Sequence, residues 1–411
     1  MKCLWLTRKY PRPANSGELI YSDGMIRSFA RAGAALTVIA HDNDELPVGD
    51  GSQSSRFADE DGVAWRLGSP RLGSRAGSLL SLWPADSWRL KNGGPGKALH
   101  QALREGPWDA VVIDHAALGW ALPSLARIRR ERDAARDPVL VYLSHNHEAK
   151  VRREVARHAP GSLPKRLALR LDAEKYARQE EALCRDCDLV TAITPAEVEA
   201  YRGQFPRQRY LCLTPGYGGP FHPDRRITEQ TPRRVVMSGS FEWIAKRINL
   251  ERFLEQAARP LAEAGIDLQI VGKTEEGFRR EMEFRYPAIG FLGRVPEMSP
   301  YLLDARMGLI VEEFGGGFKL KTLEYIFHGL PLAGLVQAVE GLPLRSPDHL
   351  LLERDVPALV ASLIDRIDDV PALERMRSEA YARCRDAFRW EDRGRQLLDC
   401  IRELRSGKTP V

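Results

Sequence analysis

The chain has 411 residues, with 61 Lys and Arg against 56 Asp and Glu, so its formal net charge is +5. This length predicts two or three domains at ~150 residues each, and so mild a positive charge argues against a general nucleic-acid-binding protein. The 43% of hydrophobic residues excludes a disordered chain, and no apolar run reaches the ~18 residues of a membrane-spanning helix.

The first half of the sequence alternates apolar strands with helices. A loop rich in Pro and Gly separates the first strand from the first helix. The predicted strands are 2–7, 36–40, 110–114, 139–144 and 189–193, and the predicted helices are 18–31 and 123–132. Apolar strands that alternate with helices predict a parallel sheet covered on both faces.

A segment rich in Pro, Gly and charge, 214–234, predicts a linker, and a second alternating series follows it. Its predicted strands are 235–237, 267–271, 288–292, 308–312 and 331–334, and its predicted helices are 249–264 and 318–328. The end of the chain, about 356–404, reads as helical without a further strand. The sequence therefore predicts an α/β fold with two doubly wound units.

The sharpest local motif is a glycine turn, 315–317, between an apolar strand and a helix that starts near Phe318. Such a turn leaves free backbone N–H groups at the positive end of the helix dipole, which favours a phosphate. Lys319 and Lys321 lie in the first turn, where positive charge is unfavourable unless an anion offsets it. Glu324 shares a helix face with Lys321, so it could bind ribose hydroxyls or form a surface ion pair with that lysine.

A second segment, 72–97, mixes Trp83, Trp88 and several leucines with basic residues. This composition suits contact with a bulky acceptor or with a membrane surface, and equally a loop and short helix packed on the domain. Both interpretations stay open at the level of sequence.

Several motifs occur in an order that resembles a known family. They are Ser16-Gly17, the SHNHE run at 144–148, DLVTAIT at 188–194, Pro215-Gly216, GSFEW at 239–243 with Lys246, GFLG at 290–293, the glycine turn before Lys321-Thr-Leu-Glu324, and FRWE at 388–391. Together they resemble the retaining GT-B glycosyltransferases close to glycosyltransferase family 4, especially those of bacterial polysaccharide and glycoconjugate assembly.

The resemblance implies two Rossmann-like domains that face a cleft. An N-terminal acceptor domain would span 1–213 and a nucleotide-sugar donor domain 235–387, joined by the linker 214–234. A C-terminal helix, 388–404, would pack back on the first domain. On this fold the expected reaction transfers a sugar from a nucleotide-diphosphate donor to a hydroxyl acceptor with retention, as in a hexosyltransferase.

The resemblance also assigns roles to individual residues. Lys246 matches the basic residue against the donor diphosphate, Glu324 the ribose carboxylate, and His145 the histidine beside the transferred sugar. With Lys321 added for its charge, the expected catalytic residues are His145, Lys246 and Lys321. The expected donor-binding residues are Gly17, Ser240, Gly315, Gly316, Gly317, Phe318, Lys319 and Glu324, and the expected acceptor or membrane contacts are Trp83 and Trp88.

Two positions depart from the family pattern. Gly316 stands where the family commonly has a second glutamate, so Glu312 or Glu313 is the candidate replacement. Ser240 stands where the family has an arginine, which leaves Lys246 and the loop lysines to supply positive charge. Two other functions on the same fold therefore stay open: a sugar-nucleotide epimerase or hydrolase, and a catalytically silent binding protein.

The expected partners are a nucleotide-diphosphate sugar and a hydroxyl-bearing acceptor, lipid-linked or a glycan among the candidates, without nucleic acid. His145 and His147 form an H-x-H pair, but the family fold manages its diphosphate without metal, so neither a metal nor a cofactor is expected. The N-terminus lacks the pattern of a secretory signal, which predicts a cytoplasmic location, with peripheral attachment at the inner face of the membrane as the alternative.

Overall fold

The computed structural model describes residues 1–42, 56–69, 76–131, 137–158, 161–313 and 317–407. The chain divides into two compact units. The first unit is Met1–Gly216 together with the chain from Arg389 onward, and the second unit is Tyr217–Phe388.

The first unit is built on an eight-stranded sheet with strand order β3-β4-β2-β1-β5-β6-β7-β8. All neighbouring strands pair in parallel except β3 and β4, which are antiparallel. The strands are β1 (Lys2–Lys9), β2 (Ala35–His41), β3 (Arg56–Ala58), β4 (Ala64–Gly68), β5 (Ala110–Asp114), β6 (Val139–Leu143), β7 (Leu189–Ala192) and β8 (Tyr210–Cys212). Strands β5 and β6 are buried along their whole length, as expected of a sheet covered on both faces.

Helices connect these strands and cover the sheet. They are α1 (Gly17–Arg31), α2 (Ala76–Leu79), α3 (Ala85–Lys91), α4 (Gly94–Glu105), α5 (Leu122–Glu131), α6 (Glu148–His158), α7 (Leu163–Asp186) and α8 (Pro195–Gln204). A short 3-10 helix, Ala116–Ala121, follows β5. The core between sheet and helices includes Leu4, Ile113, Tyr142 and Tyr176.

The second unit has a six-stranded parallel sheet with strand order β11-β10-β9-β12-β13-β14. Its strands are β9 (Arg234–Ser238), β10 (Asp267–Val271), β11 (Gly290–Gly293), β12 (Met307–Ile310), β13 (Leu332–Leu335) and β14 (Leu351–Glu353). Its helices are α9 (Ile244–Glu263), α10 (Glu276–Arg285), α11 (Ser299–Leu303), α12 (Leu320–Phe327), α13 (Val356–Arg366) and α14 (Val370–Cys384). Apolar side chains of both faces, such as Val236 and Leu309, form one core.

The last helix, α15 (Trp390–Arg405), packs against α1 of the first unit. Two glycines make this contact close: a Cβ at Gly24 would lie 2.4 Å from the Trp390 ring, and one at Gly394 would lie 2.2 Å from Ser28. Any larger residue at either position would push the two helices apart.

The predicted α/β fold class, with two parallel sheets, is confirmed. Every strand predicted from the sequence corresponds to a strand of the structure, while the short strands β3, β4, β8 and β14 were not predicted. Two helix predictions need correction: α9 begins at Ile244 rather than at 249, and α12 begins at Leu320 rather than at 318. Within the described ranges, no helix has both the length and the apolar character that crossing a bilayer would require.

Candidate active site

The carboxyl edge of the second sheet brings together residues from four elements. Strand β9 ends at Ser238, strand β12 at Ile310, and helices α9 and α12 begin just beyond this edge. The Tyr325 hydroxyl accepts a hydrogen bond from the backbone N–H of Ser238 at 2.7 Å, which ties α12 to the end of β9. Ligands of open α/β sheets bind beyond the carboxyl ends of the strands, so this edge is where a site is expected.

Lys321, in the first turn of α12, reaches back to the ends of both strands. Its Nζ lies 2.7 Å from the Oε1 of Glu312 and donates to the backbone carbonyl of Ser238 at 3.4 Å. The surface ion pair with Glu324 that the sequence left open is therefore not formed, because Lys321 pairs with Glu312 instead. The second oxygen of Glu312 and the hydroxyl of Ser238 are buried without a hydrogen-bond partner in the described part of the chain.

Two more lysines share the electrostatic field of Glu312. Burial alone would raise the pKa of Glu312, but Lys321, Lys319 and Lys246 together lower it to about 2. Burial lowers the pKa of Lys246 to about 8, and the like charges of Lys321 and Lys319 add to this effect. Three lysines therefore act on Glu312, and Lys321 also acts on Glu324, so these lysines outnumber the carboxylates in their field.

The other predicted donor-binding residues of this unit lie around the same helix start. Glu324 is half-buried on α12, and burial raises its pKa above its ordinary value. Phe318 is buried against Phe388, with ring centroids 5.7 Å apart. Lys319 donates to the carbonyl of Gly317 at 3.2 Å.

Gly317 has a φ of +76°, the left-handed region that favours glycine. The Ser240 hydroxyl donates to Glu242 at 3.3 Å. The predictions for Gly315 and Gly316 fall outside the described residues.

The carboxyl edge of the first sheet places His145 next to a buried acid. His145 follows β6, and its Nε2 contacts the Oδ1 of Asp114 at the end of β5. The other oxygen of Asp114 accepts a hydrogen bond from the Trp5 indole N–H at 3.0 Å, which fixes the carboxylate. Burial alone would lower the pKa of His145, but Asp114 raises it above its ordinary value, so the imidazole is protonated more readily than that of an ordinary histidine.

The first turn of α1 contributes a second pair of opposite charges to this edge. Gly17 is the exposed first residue of α1, and Glu18 follows it. Arg8 of β1 binds Glu18 through Nε at 2.7 Å and also through its second nitrogen. Burial would raise the pKa of Glu18, but Arg8 lowers it to about 2, with help from the histidines of this edge.

His115 holds a conformation that L-residues rarely adopt. Its φ is +98°, and its Nδ1 accepts the backbone N–H of Ala117 at 3.0 Å, so it caps the 3-10 helix after β5. Its Nε2 lies 3.5 Å from Glu148 at the start of α6. Strain of this kind persists only where surrounding contacts hold it, and it concentrates at functional sites.

The two histidines of the H-x-H pair, His145 and His147, contact different partners. His147 stacks on Tyr201 with ring centroids 4.7 Å apart, bonds Gln204 at 2.9 Å and lies 3.4 Å from Glu180. His145 instead contacts Asp114. In the part of the chain that the structure describes, no cluster of His, Cys, Asp or Glu is arranged to hold a metal ion.

Trp83 lies just before α3 of the first unit and Trp88 lies within α3, and both are half-buried. Trp83 packs on the core, with the Lys91 ammonium 4.9 Å from its ring centroid. Leu80 and Leu82, which precede both tryptophans in the sequence, are much more exposed.

Three further residues shape these edges. The sequence places Asp114 at the end of a strand, either facing the ligand-binding edge or capping the chain that follows, but it does not predict the contact with His145. The Arg8–Glu18 pair was not predicted. The available signal was position, because each lies at the carboxyl end of a strand or in the first turn of the helix that follows.

Comparisons with known proteins agree with this architecture. Residues 17–216 match the family model of the glycosyl transferase 4-like domain, and residues 232–369 match that of glycosyl transferases group 1. No curated protein sequence matches the chain.

Solved structures share the fold at low sequence identity. The sucrose-phosphate synthase of Thermosynechococcus elongatus aligns with a TM-score of 0.71 at 17% identity, over 99% of this chain and 100% of that one. The HepE protein of Anabaena, in complex with UDP and glucose, aligns with 0.62 at 14%, over 98% and 100%. The α,α-trehalose 6-phosphate synthase of Burkholderia multivorans aligns with 0.62 at 14%, over 99% of each chain.

Two α/β units with their sites at the carboxyl edges of parallel sheets define the GT-B class of enzymes. The two family models match most of the chain in consecutive stretches. The chain belongs to the glycosyltransferases, with a glycosyl transferase 4-like domain followed by a group 1 domain.

Proposed function

We propose that the protein transfers a sugar from a nucleotide-diphosphate donor to a hydroxyl acceptor with retention of anomeric configuration. The observation that carries the proposal is the excess of positive charge at the edge of the second sheet. Lys246, Lys319 and Lys321 act there on the carboxylate of Glu312, and Lys321 also acts on the more exposed Glu324. Lys246 and Lys321 also lie in first turns of helices, where their charge opposes the dipole unless an anion is bound.

A donor diphosphate supplies that anion. When the bond between the anomeric carbon and the phosphate oxygen breaks, its electron pair goes to the diphosphate, and the new negative charge falls beside the lysines. Groups already aimed at developing charge lower the barrier most. The acceptor oxygen attacks on the same face, and its proton passes to the departing phosphate oxygen, so no separate base is needed.

His145 fits the role of a charged donor better than that of a base. Its raised pKa and its contact with Asp114 favour the protonated imidazole, which donates a hydrogen bond or stabilises negative charge. Glu148 is held by Arg152 at 2.9 Å and faces His115, so its carboxylate is already compensated. These assignments support same-face transfer, in which the leaving phosphate takes the proton.

The half-buried carboxylate of Glu324 supports a role in binding ribose hydroxyls on the same helix as Lys321. Among the structural neighbours, the HepE protein of Anabaena was solved with UDP-glucose, which makes UDP-sugars the first donors to test. The acceptor we propose is a hydroxyl of a glycan or of a lipid-linked sugar in glycoconjugate assembly at the cytoplasmic side of the membrane. Neither a metal nor a cofactor takes part in the proposed reaction.

Thermal unfolding with millimolar UDP, GDP, dTDP or CMP tests the donor site. A ligand that binds only the folded state at 100 times its dissociation constant stabilises it by ~2.7 kcal/mol, which is measurable. We expect one diphosphate to raise the midpoint in the wild type and not in Glu324→Ala, while Glu379→Ala on α14 behaves as wild type. No shift with any nucleotide would contradict the proposal.

Retention is tested separately, on the product. NMR of the transferred sugar should show the anomeric configuration of the donor, and the opposite configuration would overturn the proposed stereochemistry. Release of free sugar without an acceptor product would favour a hydrolase. Binding without any turnover would favour a silent binding protein.

A further inference from the structure

The first unit exposes six leucines on two segments. Leu80 and Leu82 are 98% and 85% exposed, and Leu79 beside them is also exposed. On α7, Leu163 and Leu167 are 78% and 69% exposed, and Leu171 continues the same row. We call these the leucine surface; its members are Leu79, Leu80, Leu82, Leu163, Leu167 and Leu171.

The two segments lie side by side. Lys175 of α7 donates its ammonium to the carbonyls of Ser78 and Leu79 at 2.6 and 3.3 Å. Asp172 of α7 accepts the backbone N–H of Ala85 at 2.8 Å. Leu171 lies about one helical turn before Lys175, or about 6 Å along the helix axis from the residue whose ammonium binds the Leu79 carbonyl.

The leucines of α7 form one face of that helix. Leu163, Leu167 and Leu171 are spaced four residues apart, so their side chains lie one above another. Residues of soluble proteins are rarely left so exposed in a contiguous apolar group, and such a group marks an interaction surface.

Positive charge flanks the leucines. The first ten residues of this region, 162–171, read SLPKRLALRL, with Lys165, Arg166 and Arg170 and no acid. On the other segment Lys91 lies against Trp83. Apolar side chains flanked by lysine and arginine complement a bilayer with anionic headgroups, because the leucines enter the acyl boundary while the cations stay at the headgroups.

We propose that the leucine surface docks the first unit onto the surface of a membrane that carries anionic lipids. A protein partner fits less well, because the hot spots of protein interfaces are rich in Trp, Tyr and Arg and poor in Leu. The half-buried Trp83 lies at the margin of the leucine surface, where tryptophans of membrane-bound proteins meet the headgroups. The apolar insertion is thus carried by leucines, half of which lie on α7.

The docking surface lies on the side of the sheet edge that holds His145. Glu180 of α7 accepts the backbone N–H groups of Glu148 and Ala149 at 2.9 and 2.8 Å, so it is level with the start of α6, just beyond β6. At ~1.5 Å per residue, Leu171 lies about 14 Å and Leu163 about 26 Å further along the helix axis. A docked first unit would therefore hold His145 within reach of groups attached to membrane lipids.

Flotation of the full chain with vesicles tests the proposal without any donor or acceptor. The vesicles are pure phosphatidylcholine, or equal parts of phosphatidylcholine and phosphatidylglycerol. We expect binding to the second kind only, weakened by salt because exposed charges are screened. Binding should fall at least about tenfold in Leu80→Ser/Leu82→Ser and in Leu163→Ser/Leu167→Ser, since each lost leucine removes apolar area from the bilayer.

Phe284→Ser provides the matched control, because Phe284 is 88% exposed on α10 of the second unit. It should bind vesicles as the wild type does. A charge variant, Lys165→Glu/Arg170→Glu, should lose binding to anionic vesicles while its thermal midpoint is retained. All substituted leucines are exposed, so the variants should fold, and nucleotide-induced thermal shifts measured on the same samples report on the donor site independently.

Three results would overturn the proposal. The first is no binding of the wild type to either kind of vesicle. The second is binding that the leucine variants leave unchanged. The third is a wild type that self-associates in solution through the leucine surface, seen by light scattering as a loss of mass in the leucine variants without any vesicle binding.

Discussion

The carboxyl edges of the two sheets differ in how their charges are compensated. At the first edge each acid contacts a base: Arg8 binds Glu18, and His145 contacts Asp114. At the second edge three lysines act on Glu312, and the pKa of Lys246 is lowered to about 8. The acids of the first edge are therefore compensated, whereas at the second edge the three lysines outnumber the two carboxylates, Glu312 and Glu324, on which they act.

This difference assigns separate tasks to the two units. A compensated edge keeps its side chains fixed and can present a single hydrogen-bond donor such as His145 in a defined position. At the second edge the lysines repel one another, and a bound diphosphate would reduce this repulsion. The same lysines can stabilise the negative charge that develops on the diphosphate when its bond to the sugar breaks. The predictions below test whether the two edges differ in this way.

The largest effect is expected from Lys321→Met, which removes a cation from the second edge. We expect sugar transfer to slow by roughly 10²- to 10³-fold, or ~2.7 to 4 kcal/mol, as for removal of one well-placed donor. Steady-state kinetics with a saturating acceptor measure this change. Arg259→Met, on the exposed surface of α9, should leave the rate unchanged.

A loss of folding could imitate this result, because Lys321→Met leaves Glu312 buried without its partner. The double variant Lys321→Met/Glu312→Gln removes both charges, and its thermal midpoint should recover. If its rate recovered as well, the lysine would be structural and the proposed role of the second edge would be wrong.

Next in size is the stability effect of Glu312→Gln. A folded pKa of about 2 against ~4.3 for an unfolded glutamate corresponds to roughly 3 kcal/mol, at ~1.36 kcal/mol per unit. Because the folded pKa is depressed, this stability is present above the unfolded pKa and is lost as pH falls from about 4.3 toward 2. Urea unfolding at neutral and at acid pH should show a difference between wild type and variant that shrinks in acid.

The same Glu312→Gln variant should bind a nucleoside diphosphate at least as tightly as the wild type, because it leaves more positive charge at the second edge. Titration calorimetry at neutral pH measures the affinity. A weaker affinity would mean that Glu312 itself contacts the ligand. The second edge would then differ less from the first edge in charge compensation than we infer.

At the first edge, Asp114→Asn should have a smaller effect. The amide keeps an acceptor for Trp5 but removes the negative charge that raises the pKa of His145, so this pKa should fall. Loss of a charge-assisted hydrogen bond typically amounts to ~1.5 to 3 kcal/mol, and we expect a comparable loss in the rate of transfer near neutral pH. The pH optimum should move toward acid, where His145 is still protonated.

NMR titration of the His145 imidazole provides the direct measurement for this variant. Asp392→Asn, an acid on the surface of α15, serves as the matched control and should change neither the titration nor the pH profile. An unaltered pH profile in Asp114→Asn would show that Asp114 does not act on the reaction through His145.

The smallest effect concerns the pH dependence of donor binding. Lys246 has a pKa of about 8 in the free protein, and a bound diphosphate raises it, so binding takes up a proton above pH 8. Affinity should be level below that pH and should fall by at most about tenfold, or ~1.4 kcal/mol, per unit above it. In Lys246→Arg the affinity should stay level throughout, because arginine keeps its charge; a slope that persists would assign the titration to another group.

Local patterns were enough to predict most of the fold. The strands of both sheets are short apolar runs, and the Pro- and Gly-rich segment 214–234 contains the boundary at Gly216. Helix α7 has only a weak apolar periodicity, because its buried face carries Lys175, Gln179 and Glu180. The short strands β3 and β8 give too few residues for any period to show.

The candidate site was predictable only in part, for a related reason. Lys321 and Glu324 were found because a glycine turn followed by a helix is a local motif. The contact of Lys321 with Ser238 and that of His145 with Asp114 are set by strand order, which joins Ser238 to α12 and Asp114 to the residue after β6. His145 and Asp114 are 31 residues apart in the sequence, and Lys321 and Ser238 are 83 apart. Contacts between residues so far apart cannot be predicted from a single sequence.

The return of α15 to the first unit has a consequence for synthesis. The ribosome makes all of Tyr217–Phe388 before it makes the helix that covers α1. Until then the face of α1 that holds Gly24 and Ser28 lacks Trp390 and Gly394. The first unit can begin to fold first, but it must finish last, and a nascent chain would expose an apolar groove on α1 throughout the synthesis of the second unit.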